Sequence, residues 1–120
     1  MKTSSAKAKG RKLQKMVVET ILEVNPSLHE DDVVSRPMGS GGEDIMLSDH
    51  ARSWVPFSFE CKNTRAFPGL PALRQAEANS KRRGLPIVCW KPAGKGKDDV
   101  IAYFNLKDFL VWVKGEKMNG

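Results

Sequence analysis

Cysteine is scarce in this chain: Cys61 and Cys89 are the only two among 120 residues. That excludes a disulfide-stapled scaffold, and it excludes a cysteine-based zinc site, which needs more ligands at closer spacing. Both cysteines sit in apolar, strand-like runs and read as buried thiols of a reducing compartment. His29 and His50 are equally isolated, have no metal-ligand spacing between them, and are read as loop residues. No apolar stretch approaches the roughly 20 residues of a membrane span. No apolar segment follows the Lys- and Ser-rich opening, as one would in a secretory signal. The expected location is the cytoplasm, that of a host if the source is viral, with no membrane partner. Acidic residues are absent from positions 1–15, which hold Lys2, Lys7, Lys9, Arg11, Lys12 and Lys15. With 20 Lys and Arg against 14 Asp and Glu, this segment supplies the whole formal charge of +6. A cationic stretch beside an electroneutral body suits a polyanionic partner, because each phosphate contact releases counterions. A solvated, disordered tail explains the charge equally well.

What is present suffices for one domain with one core. Residues 1–9 are expected to form a flexible basic arm and residues 10–120 a single domain. Between 11 and 23, Leu13, Met16, Val17, Val18, Ile21 and Leu22 gather on one face at roughly 100° per residue, which predicts an amphipathic helix. Gln14 falls inside the apolar arc, whereas Glu19 and Glu23 point away from it. Asn25-Pro26-Ser27 ends the helix. Residues 32–36 are a weak strand, and the glycine-rich run Pro37-Met38-Gly39-Ser40-Gly41-Gly42 must turn sharply. Residues 43–47 read as a short strand, followed by a polar turn at Ser48-Asp49-His50. The clearest strand is 55–62, where Phe57, Phe59 and Cys61 alternate with Ser58, Glu60 and Lys62. A helix follows at 72–83, with Pro71 at its start and Gly84 just past its end. A buried strand at 86–90 pairs with 100–104, and Asn105 caps a last helix at 106–114. The order αβββαββα predicts an α/β (α+β) domain in which helices flank one central mixed sheet.

Period-two alternation sends Glu60 and Lys62 to one face, opposite the phenylalanines. Asp44 alternates in the same way with Ile45 on the preceding strand, so the two carboxylates converge if those strands are neighbours. Close carboxylates stay ionised only with a cation between them. Mg²⁺ suits such a pair, being a hard ion that takes one or two carboxylates, keeps waters and accepts phosphate oxygen. The glycine run lacks the Walker lysine and a strand-to-helix context, so no nucleotide cofactor is expected. An isolated Glu-x-Lys is more simply a surface ion pair.

Asp44 followed by Glu60-Cys61-Lys62 resembles the D…(D/E)-x-K signature of the PD-(D/E)xK nuclease superfamily, whose restriction-endonuclease-like core has the order αβββαβ. Within it, the chain is most similar to the small Holliday junction resolvases of archaea and phages. Lys9-Gly10-Arg11-Lys12-Leu13-Gln14 is similar to the basic opening of their first helix. Gly39-Ser40-Gly41-Gly42-Glu43-Asp44-Ile45 is similar to their Ser/Gly-rich approach to the catalytic Asp. The likeness runs from about Lys9 to Trp90. It implies a homodimer that nicks two strands of a four-way DNA junction with Mg²⁺, for which Mn²⁺ would substitute. Asp44 and Glu60 would be metal ligands and Lys62 the catalytic lysine. Gln75 would stand near the site and Ser40 beside the metal or the scissile phosphate. Two departures stand out: Glu43 replaces the proline before Asp44, and Gln14 stands where the archaeal resolvases carry a metal-binding Glu. Glu19 is the nearest carboxylate on that helix, roughly 140° away from Gln14.

Lys7, Lys9, Arg11, Lys12, Arg36, Arg65, Lys81 and Arg82 are the candidate DNA contacts. Asn79 and Arg82 read more simply as a solvated helix face. Trp90 and Trp112 are expected in the core, and Trp54 and Phe67 in core or dimer contacts, with stacking on an unpaired base as the alternative. The other functions in view are a sequence-specific restriction, homing or nicking nuclease on the same core, and a non-catalytic DNA-binding protein.

Overall fold

The computed structural model describes residues 2–119 other than Met38 and Arg82, and for 2–4 and 116–119 the backbone alone. Helix α1 runs Lys2–Val24, so residues 2–9 of the segment expected to be a flexible arm are helical. Ala6, Lys7, Ala8 and Lys9 are strong helix formers, and extending an existing helix costs far less than nucleating one. Residues 5–9 are solvent-exposed, while Leu13, Val17 and Ile21 downstream are buried. Asn25 stops the helix: its amide donates to Ile21 O at 2.8 Å, satisfying a carbonyl of the last turn.

Strands β1 (Val33–Ser35) and β2 (Ile45–Leu47) pair antiparallel, Val33 opposite Leu47 and Ser35 opposite Ile45. Where a polar turn containing His50 was expected, Ser48 instead caps a short helix, α2 (Asp49–Trp54), its Oγ accepting from Ala51 N. A Ser cap followed by Asp in the first turn is a helix-start signal, and Ala51 anchors the turn in the core. Strand β3 (Phe57–Lys62), helix α3 (Gly69–Ser80) and strand β4 (Leu85–Trp90) form a crossover unit with β3 and β4 parallel, Phe57 opposite Leu85 and Lys62 opposite Trp90. Strand β5 (Ile101–Tyr103) adds antiparallel to β4, and α4 (Leu106–Asn119) closes the chain.

The strands fall into two sheets, β1-β2 and β3-β4-β5, where one central sheet was expected. The break lies at Asp44. Its N–H donates to Phe59 O at 2.9 Å, but its carbonyl turns the other way and accepts from Arg36 N at 2.8 Å. The next donor along β3, Cys61 N, is met at 2.7 Å by the Asp44 carboxylate. A side chain thus replaces a ladder bond, and pairing stops.

The three-stranded sheet is mixed and flanked by helices, giving an α+β fold. Phe59, Cys61, Ile87 and Cys89 face α1, and Phe57 meets Trp112 of α4 at 5.5 Å between ring centroids. On the other face Val88 packs beneath Ala72, Leu73 and Ala76 of α3. Strand β3 is therefore covered on both sides, which buries Ser58 and Glu60 along with its apolar residues. Both cysteines are buried and free, side by side in the β3-β4 register. Among the described residues no helix is long and apolar enough to cross a membrane.

Helix α3 ends on Lys81, whose φ of 48° is left-handed, so Gly84 does not serve as the helix terminator expected of it. Gly84 is needed for a different reason: a Cβ there would stand 2.8 Å from Pro56 O and 3.0 Å from Pro56 C. Gly84→Ala is expected to cost roughly 1–3 kcal/mol by overpacking against backbone that cannot retreat. Urea denaturation would show this as a lower midpoint at constant slope; an unchanged midpoint would contradict the close approach.

Candidate functional site

Asp44 reaches its position through the glycine turn. Gly42 has a φ of 104° and lies under Arg36, whose Cζ would be 3.1 Å from an added Cβ. Arg36 spans the turn, its Nε donating to Glu43 O. Glu43 itself is 2% exposed. It pairs with Arg52 of α2, accepts from Ser58 Oγ at 2.8 Å, and lies 3.7 Å from Arg83. Glu43 is thus a buried anchor joining the turn to α2, β3 and the segment after α3. Next to that anchor Asp44 has both backbone polar groups and Oδ2 in hydrogen bonds. Its Oδ1 has none among the described residues.

Glu60, at the centre of β3, is 3% exposed. Its Oε1 accepts from Asn79 Nδ2 of α3 at 3.1 Å, and its Oε2 is 3.5 Å from Lys62 Nζ. Burial raises the Asp44 carboxyl above its ordinary pKa, against the opposing pull of the Cys61 N–H, Lys62 and Arg36. Burial raises Glu60 as well, and the Asp44 charge raises it further, opposed by Asn79 and Lys62. The two acids are close enough for the Asp44 charge to act on Glu60. Cys61, between Glu60 and Lys62, is kept neutral by Cys89 and by burial, which push its thiol well up.

Among the described residues no group of three or more His, Cys, Asp and Glu could hold a metal ion. A hard ion such as Mg²⁺ or Mn²⁺ keeps part of its water shell and needs only one or two carboxylates, the number that Asp44 and Glu60 supply.

The remaining candidates separate. Gln14 is buried, 4% exposed, one helical turn beyond Gly10, which lines a recess with Cys61 and Lys62. Glu19 is exposed and bears on Lys97 together with Glu23, away from the pair. Ser40 is exposed and donates to Pro37 O at 2.7 Å, closing its own turn. Gln75 is exposed on α3; Asn79, one turn further, is the residue that meets Glu60. The reading of Asn79 as solvated is therefore corrected. It continues the buried Ala72–Ala76 stripe at the helical spacing of three, and that spacing was the available signal.

Of the cationic candidates, Lys9, Lys12 and Arg65 line a recess of about 270 Å³. Lys91, not singled out in the sequence, joins them there. Lys7 and Arg11 are exposed on α1, and Lys81 is exposed at the end of α3. Arg36 is half-buried and committed to the Glu43 carbonyl, and Arg82 lies outside the described residues. Compared with known proteins, the chain matches no family model, no curated protein and no solved structure.

Proposed function

We propose that the chain is a metal-dependent DNA endonuclease in which Asp44 and Glu60 hold a Mg²⁺ or Mn²⁺ ion and Lys62 is the catalytic lysine. The observation that carries this reading is the meeting of two desolvated, mutually repelling carboxylates with a single ammonium beside them. An ordinary surface Glu-x-Lys pair stands in water; Glu60 does not. When bound, such an ion lowers the pKa of a water and polarises the phosphodiester. Lys62 would neutralise charge growing on the phosphoryl oxygens or orient the attacking water. Asn79 is a positioning residue that holds Glu60 and favours its ionised form.

On this reading β1–β5 are a restriction-endonuclease-like core whose first two strands have parted from the sheet as a ribbon. The connections between these elements are short and offer little for reading base edges, which favours recognition of branched DNA by shape. Leu106, Leu110 and Val111 are exposed along α4, an apolar surface that a second copy would cover, giving the two sites that paired nicks in a four-way junction require.

The test is incubation with four-way junction, forked and linear duplex DNA, with Mg²⁺ or with EDTA. Metal-dependent cleavage that prefers the junction is expected. Preference for one linear sequence would favour a restriction or nicking activity, and binding without any cleavage would overturn the enzyme.

Asn79→Ala should move the acid limb of the pH–rate profile to higher pH. The hydrogen bond from Asn79 lowers the Glu60 pKa, so its removal raises that pKa and more of the residue is protonated at any acidic pH. Activity on the alkaline plateau should persist. A uniform loss at all pH values would mean that Asn79 serves packing alone.

A further inference from the structure

The recess lined by Lys9, Lys12, Arg65 and Lys91 has properties that cleavage chemistry alone does not call for. Lys9 and Lys12 of α1, Arg65 after β3 and Lys91 after β4 converge on about 270 Å³, with no acidic residue in the lining. Asn63 fixes the junction, its Nδ2 donating to Lys9 O at 2.9 Å. Four like charges around one concavity repel unless an anion joins them. A second recess of about 490 Å³ shares Lys9, Asn63, Thr64 and Arg65 and extends to Lys62, so the cationic path runs on toward the acid pair.

At the other end stands Phe67. It is 57% exposed, yet its ring is held 5.3 Å from that of Trp90 and 4.8 Å from that of Tyr103. Those two rings are tethered in turn: Trp90 Nε1 donates to Thr64 O and Tyr103 Oη donates to Gly69 O, each at 2.8 Å. Thr64 and Lys91, neighbours of these aromatics, line the cationic recess. An aromatic ring immobilised with its outer side in water, at the rim of a phosphate-sized cationic groove, is the arrangement that binds an unpaired base.

We propose that this groove and Phe67 together hold an unpaired single strand of DNA, its phosphates on Lys9, Lys12, Arg65 and Lys91 and one base stacked on Phe67. The proposal rests on the nuclease reading and deepens it: the substrate would carry an unpaired segment beside the cleaved bond. Two features favour a single strand over a duplex. The four cations gather around one recess of about 270 Å³ and are not spread over a broad face, so they suit one sugar-phosphate chain. Bases inside a duplex stack on one another and offer no free face to Phe67.

The test uses the full chain in EDTA, where metal-dependent cleavage cannot intervene, and reads fluorescence anisotropy with labelled oligothymidylate and with a duplex of equal length. Tighter binding of the single strand is expected. Arg65→Ala/Lys91→Ala should weaken it about tenfold or more and flatten the log K against log salt slope by about 1.4, at roughly 0.7 for each phosphate that is no longer neutralised. Phe67→Ala should weaken it about tenfold with the slope unchanged. Phe67→Tyr, which keeps the ring, should restore binding and separates stacking from misfolding. Single-strand affinity unaltered in both Ala variants, or duplex binding as tight as single-strand binding in the wild type, overturns the proposal. If these losses appear but no cleavage occurs with Mg²⁺, strand binding stands and the nuclease reading fails. If the Ala variants cleave a forked substrate at the wild-type rate, the nuclease stands and the strand path fails.

Discussion

Asp44→Asn should abolish Mg²⁺-dependent cleavage, by about a thousandfold or more in kcat, while the protein stays folded and still binds branched DNA. The substitution is nearly isosteric, and the amide oxygen can still accept from Cys61 N, as Oδ2 does at 2.7 Å. What disappears is the negative charge, and with it one of the two oxygens that could hold an ion. The same variant carries a stability signature whose sign is opposite to the usual one. Burial raises the Asp44 pKa in the folded chain, so ionised Asp44 opposes folding. That penalty is present above the folded-state pKa and disappears as pH falls below the ordinary carboxylate value. Asp44→Asn should therefore melt slightly higher than wild type near neutral pH, with the gap closing on acidification. Added Mg²⁺ should raise the wild-type Tm by mass action and leave that of the variant unmoved. Glu60→Gln should behave likewise, since burial and Asp44 raise Glu60 too. Normal cleavage by both variants would remove the site.

The largest stability loss is expected at Glu43, beside the catalytic candidate and not part of it. Glu43→Ala leaves Arg52, whose side chain is 18% exposed, without its buried carboxylate, and leaves the Ser58 hydroxyl, within a residue that is 1% exposed, without its acceptor. Removing one partner of a buried pair costs about 3–5 kcal/mol; Arg83, more than half exposed at 3.7 Å, adds little. At about 3–5 °C per kcal/mol for a chain of this size, Tm should fall by roughly 10 °C or more. Glu43→Gln keeps the Ser58 acceptor and should lose less. Calorimetry on both variants decides the point, and a loss below about 1 kcal/mol would mean that Arg52 simply turns to water. Because Glu43 adjoins Asp44, the Ala variant should also cleave poorly at temperatures where it remains folded.

The Glu43 network also marks where local sequence stops being informative. Periodicity located β3 and β4 to within two residues and found α1 and α3 by their apolar rhythm, although α1 starts nine residues earlier and α3 lies three residues earlier than expected. It missed α2, where six residues between two strands, Asp49–Trp54, are too few to show a rhythm. Glu43 looked like a strand residue and Asn79 like a solvated one. Both are held by partners distant in the chain, Arg52 and Ser58 for the first and Glu60 for the second.

Local sequence determined which side chains share a face: Glu60 and Lys62 opposite Phe59, and Leu13, Val17 and Ile21 along one helix stripe. A backbone repeat of two or 3.6 residues dictates that much without any neighbour. Which element covers each face was decided only by tertiary packing. The parallel crossover laid α3 over β3 and brought Asn79 onto Glu60. The turned carbonyl of Asp44 ended the sheet and freed a carboxylate for Cys61 N. The approach of the segment after β4 to the first half of α1 added Lys91 to Lys9 and Lys12. Such meetings depend on how covered surfaces fit together, and no spacing along a single strand or helix encodes them.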